Sequence, residues 1–133
     1  MISTAEEFVS LRTSASQEEY LRAATDSAAL EVWLDVINRF PQMREWVAHN
    51  KTVPVEVLSR LARDDDSRVR ATVAMKNKLP FDLMVLLSED SEEVVRERIA
   101  YNKHASAEIL KRLSRDSSER VSAAASGRLR EAR

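Results

Sequence analysis

One interval governs this chain. Val47-Ala48, Val73-Ala74 and Ile99-Ala100 recur every 26 residues, and the same beat carries Leu58, Met84 and Leu110, then Leu61, Leu87 and Leu113. Asp64, Asp90 and Asp116 keep it too, as do Val69, Val95 and Val121 and the arginines Arg44, Arg70 and Arg96. A fixed interval of this length marks a unit that cannot bury its apolar face alone and must stack on copies of itself. The expected architecture is therefore an elongated pile of helices.

Each unit reads as two short helices. From Val53 to Arg63 the apolar residues Pro54, Val57, Leu58, Leu61 and Ala62 give the stripe of an amphipathic helix. Pro54 and Pro80 stand at the start, where a missing N–H costs nothing, and Ser106 takes that place in the third copy. The segments starting at Asp64, Glu89 and Arg115 supply turn and cap residues, and a second helix follows, predicted at Arg68 to Lys76 in the first of these copies with Val69, Val73 and either Thr72 or the alkyl stem of Lys76 inward. Towards the N-terminus the beat is fainter: Tyr20-Leu21 precedes Trp46-Val47 by 26 residues, and Thr4 to Glu7 and Ser16 to Glu19 read as capping boxes. Trp33 belongs to the apolar stripe of Leu30, Leu34 and Ile37 and is expected in the core.

The sequence thus predicts an all-α chain of five helical pairs, over residues 3–26, 27–52, 53–78, 79–104 and 105–133, as one domain spanning 1–133. Strands find no support, since the one glycine, Gly127, leaves no Asn-Gly or Asp-Gly hairpin turn.

Composition bounds the function. There is no cysteine, hence no disulfide, thiolate metal site or thiol nucleophile. His49 and His104 are two units apart, one glycine cannot build a phosphate loop, and no nucleophile elbow appears. The expectation is a non-catalytic protein with no cofactor and no metal. The opening residues lack a basic segment and an apolar segment, and no apolar run would span a bilayer. A cytoplasmic location without membrane attachment is the corresponding expectation. The formal charge is −1, yet residues 1–35 hold two basic and seven acidic side chains, and residues 103–133 hold eight basic and four acidic. Such asymmetry shapes field and solubility before it selects a partner.

From Asp64 to Ala74 and from Asp90 to Asn102 the chain resembles the D-x-x-x-x-V-R-x-x-V-A-x-N core of the leucine-rich-repeat-variant family, a branch of the HEAT-like helical repeats. Val53 to Ala62 and Leu79 to Leu87 are similar to its x-P-x-x-x-L-x-x-L half, and the likeness covers about residues 44–122. The resemblance implies a right-handed α–α superhelix with a binding role and no catalytic residues to carry over. Within that class the repeated Asp and Arg residues resemble a ladder tying successive units. Asn50 and Asn102 are expected to end their helices in the left-handed conformation.

Residues that break the beat are the better binding candidates. His49, Met75 and Tyr101 share one repeat position, and Trp46, Thr72 and Arg98 share another, on the helices that line the concave side of HEAT-like stacks. With Glu45, Arg68, Glu97 and Lys103 they form a polar and aromatic strip, of the composition that anchors interfaces. The expected partner is a protein or peptide held by Trp46, His49, Arg68, Met75, Glu97, Arg98, Tyr101 and Lys103, on a chain that is monomeric or weakly self-associating. The alternative is a nucleic-acid binder related to HEAT-like DNA-alkylation-repair proteins, against which the near-zero net charge argues.

Overall fold

The computed structural model describes residues 1–131. Ten α-helices and one 3-10 turn account for the regular structure among them, with an isolated bridge between Ile2 and Ala28. The fold is all-α. Two α-helices lie in each of the five intervals expected from the repeat, and the chain forms two compact units, Met1–Leu61 and Ala62–Arg133, whose boundary falls inside the interval 53–78.

The first unit holds α1 (Ala5–Arg12), α2 (Gln17–Thr25), α3 (Leu30–Arg39), the 3-10 turn Pro41–Met43, α4 (Arg44–His49) and α5 (Val55–Leu61). Helix α3 packs on both α1 and α5, and α4 packs on α2. Thr4 and Ser16 cap α1 and α2 by accepting from the amides of Glu7 (3.0 Å) and Glu19 (3.4 Å), as the capping boxes require. The carboxylates do not return the bond to the cap amide: Glu7 accepts from the Ser3 amide and Glu19 from the Ser14 hydroxyl. Phe8 meets Trp33 edge to face at 5.4 Å, and both are fully buried beside Ile2, Val36, Val47 and Val57. The faint repeat in α2 does not carry over to packing. Leu21, which the interval pairs with buried Val47, is 51% exposed, and Ala23 is the buried residue of that helix.

The second unit holds α6 (Ser67–Ala74), α7 (Phe81–Ser88), α8 (Glu93–Tyr101), α9 (Ala107–Leu113) and α10 (Glu119–Glu131). Helices α6, α8 and α10 pack in series as one layer, α7 and α9 as the other, and α8 touches all four neighbours. Val69, Val95 and Val121 turn inward, as do Leu87 and Leu113, so the 26-residue columns form the apolar seam. Helix α6 ends two residues before Lys76, with Met75 as its cap. Asp66 and Ser106 cap α6 and α9 through their side chains, while Pro80 precedes α7 as its extended cap residue.

Two polar columns bind neighbouring helical pairs together. Arg70 grips Asp90 in a two-pronged ion pair (2.8 and 3.1 Å) and donates to the Asp64 carbonyl (2.7 Å). Arg96 repeats this with Asp116 and the Asp90 carbonyl at matching distances. Each carboxylate also accepts from the amide two residues on, Glu92 or Ser118. A carboxylate just past a helix C-terminus is thereby compensated by an arginine from the preceding pair, and that arginine also satisfies a carbonyl in the turn between the helices of its own pair.

The asparagines overturn the left-handed expectation. Asn50 and Asn102 have φ −64° and −66° with extended ψ, and no described residue has positive φ. The reason is that their side chains do the ending. The buried Asn102 amide donates to the carbonyls of Ala74 (2.8 Å) and Lys76 (3.1 Å), and its oxygen accepts from the His104 amide. Asn50 does the same with Ala23, Asp26 and Thr52.

Candidate functional site

The repeat-breaking residues of the second unit come together. Met75, the cap residue of α6, faces Glu97, Arg98 and Tyr101 of α8 across a cleft of about 470 Å³, which Asn77, Asn102 and Lys103 complete. These positions converge because α6 and α8 are adjacent in their layer and each presents its last turn to the same side. Met75 and Tyr101 are 53% and 61% exposed, large apolar groups that packing does not cover. Arg98 sends Nη1 to the Met75 sulfur at 2.7 Å. Glu97, mostly buried, holds the exposed Arg120 through both carboxylate oxygens (3.0 and 3.3 Å). Two cations, a thioether and a phenol ring therefore line the opening, with the one acid already engaged.

Arg68 stands apart from this cleft, paired with Asp66 at 3.0 Å beside the start of α6. That contact and the Arg68 backbone amide hold the Asp66 carboxyl below the ordinary carboxylate range. Thr72, the repeat mate of Arg98, is buried and donates its hydroxyl to the Arg68 carbonyl.

Trp46 and His49 line a separate pocket of about 340 Å³ in the first unit, together with Arg12, Tyr20, Ala23, Ala24 and Lys51. The Arg12 guanidinium lies over Trp46 with Cζ 3.5 Å from the ring centroid, and over Tyr20 at 4.4 Å. Trp46 in turn stacks with His49 at 5.4 Å. Sequence reasoning found Trp46 and His49 but missed Arg12 and Tyr20. The spacing of Tyr20 and Trp46 offered a signal for one of them; nothing in the repeat marked Arg12.

The candidate strip thus resolves into one cleft around Met75, Arg98 and Tyr101 and one pocket around Arg12 and Trp46. Among the described residues no group of three or more His, Asp or Glu side chains is placed to hold a metal ion, and no described helix is long and apolar enough to cross a membrane. Comparison of the chain with protein-family models, with curated proteins and with solved structures gives no match.

Proposed function

We propose that this chain is a non-catalytic protein-interaction module that holds a partner protein or peptide in the cleft of Met75, Arg98, Tyr101 and Lys103. The observation that carries the reading is the convergence of exposed Met75 and Tyr101 with Arg98, on residues where the repeat is broken. Stacking does not require these side chains, and Met, Tyr and Arg are the types that anchor interfaces. The reading takes the helical pairs as successive turns of a right-handed HEAT-like superhelix, with the cleft on its concave side. Supporting it are the 26-residue beat and the repeated arginine–aspartate ties between pairs. The balanced charge of −1 favours a protein partner over nucleic acid.

Peptides selected from a random library against the whole chain test the proposal. Their affinity should fall by about thirtyfold or more in Tyr101→Ala and Arg98→Ala, by the usual weight of interface anchors, while circular dichroism stays unchanged. Binders indifferent to both substitutions would reject the cleft. A labelled DNA duplex, titrated at low and then physiological salt, should show no tight association; strong, steeply salt-dependent binding would replace this reading with the nucleic-acid one.

A further inference from the structure

The pocket of the first unit carries an inference independent of the cleft. Arginines 22, 44, 70, 96, 98 and 128 are half-buried, and each donates to an oxygen or sulfur acceptor. Arg12 is buried to the same degree, yet among the described residues its guanidinium donates to nothing. It is held instead by two aromatic rings.

The geometry fixes which way its donors point. With Cζ 3.5 Å from the Trp46 centroid, the guanidinium has to lie flat on the ring. A nitrogen aimed at the ring, about 1.3 Å from Cζ, would come within roughly 2.2 Å of the ring plane, far inside contact distance. A flat guanidinium keeps its N–H groups in its own plane, at the edge, where they form a fork matched to two oxygens of one anion. Stacking also fixes the side chain in advance, so little rotamer entropy remains to be lost on binding.

The surroundings set the sign and size of the guest. Arg12, Lys51 and His49 line the pocket, and no carboxylate does. The nearby backbone acceptors are already used: the Ala24 carbonyl takes the Lys51 amide and the Ala23 carbonyl takes the Asn50 side chain. Ala23 and Ala24 lie in the last turn of α2, and Trp46 and His49 in the last turn and a half of α4. Both helices thus bring the negative ends of their dipoles to the pocket. That field supports the cations and opposes any anion in proportion to its charge, so a singly charged carboxylate suits the site better than a doubly charged phosphate.

We propose that the Arg12 pocket is a carboxylate-binding site, in which Arg12, stacked on Trp46 and in contact with the Tyr20 ring, receives an acidic side chain or a free C-terminus of a peptide, with Lys51 completing the charge. Tyr20 and Trp46 are positioning residues for the guanidinium and form the apolar walls around the stem that bears the carboxylate.

The indole N–H resonance of Trp46 reports the site, and with two tryptophans in the chain a spectrum of Trp46→Phe assigns it. An acetylated, amidated tetraglutamate peptide should shift that resonance saturably at low salt, and the tetraglutamine equivalent should not. Tetraglutamine with a free C-terminus separates the two carboxylate sources: a shift names the terminus as a guest, and its absence restricts the site to side chains, both within the proposal. Arg12→Gln should weaken tetraglutamate binding by about tenfold or more, the usual weight of a charge-assisted fork. Arg12→Lys keeps the charge over the rings and should still lose several-fold; it carries the test if Arg12→Gln loses helical signal. Failure of tetraglutamate to shift Trp46, equal binding by Arg12→Lys, or a larger response to inorganic phosphate would each overturn the proposal. None of these results bears on the Tyr101 cleft.

Discussion

The arginine–aspartate ties show how much one side chain is made to do. Arg96 is 16% exposed and its partner Asp116 10%, so the pair is shielded from solvent but not sealed. Burial opposes the charge on Asp116, but the Arg96 guanidinium and the Ser118 amide outweigh it and hold the carboxyl below its ordinary value. The folded chain therefore binds this proton less tightly than the unfolded chain does. Its stabilising contribution is complete above about pH 4, the unfolded value, and disappears as the pH falls through the lowered native one. Urea midpoints of the wild type and Asp116→Asn should differ at pH 7 and converge towards pH 2; a gap that stays constant would show that the ionised carboxylate is not what stabilises. The columns of Asp64, Asp90 and Asp116 and of Arg70 and Arg96 were visible in the sequence, and so was a structural role for them. Which arginine meets which aspartate was not. The interval aligns Arg70 with the aspartate six residues before it, whereas the side chain takes that residue's carbonyl and gives its fork to the next pair.

At the scale of the helix, ends are settled by side chains reaching across from the following pair. Asn102 satisfies two carbonyls at the end of α6, and Arg128 does the corresponding work one interval later, donating Nη1 to the carbonyls of Ala100 and Asn102 (2.9 and 3.0 Å). An amide and a guanidinium are interchangeable here because the task is to donate two hydrogens to orphan carbonyls. This column was missed from sequence. Asparagine at a helix end has a local explanation that is right in many proteins, and nothing in a linear reading shows carbonyls arriving from another helix. Asn102→Ala should cost about 2–3 kcal/mol in urea unfolding, since it strands buried acceptors. Asn102→Asp should cost more at neutral pH, its carboxylate facing the same carbonyl oxygens. An alanine variant within about 0.5 kcal/mol of wild type, the spread expected of inert surface changes, would deny the side chain this role.

Across the whole chain, the principal packing within each unit joins helices one or two places apart in sequence. That pattern makes stability a sum of neighbour terms more than a single global quantity. Trp33 and Trp46 both belong to the first unit, so tryptophan fluorescence reports that unit while the far-ultraviolet helical signal reports both. Ile99, fully buried in α8, is a suitable lever in the second unit. Ile99→Ala, a loss of about 2–5 kcal/mol, should lower the urea concentration at which helical signal starts to fall and leave the fluorescence midpoint nearly in place. Coincident transitions would show one cooperative unit instead. The apolar beat made the helical pairs and most of the core legible in advance, Leu61, Leu87 and Leu113 among them. It weakened in α2, where Leu21 is exposed and Ala23 takes the buried position instead.

No described residue adopts positive φ, so every corner in residues 1–131 is turned in ordinary backbone conformations. In the second unit the corners are held instead by an aspartate, an arginine and a donor side chain that recur on the 26-residue interval, the arginine and the donor side chain reaching 20 and 28 residues along the chain. A protein made this way lengthens by duplication: a copied segment brings its own fastenings and asks nothing special of the joint. Modular growth is thus open to this chain without the glycine hinges that would otherwise have to be copied and kept.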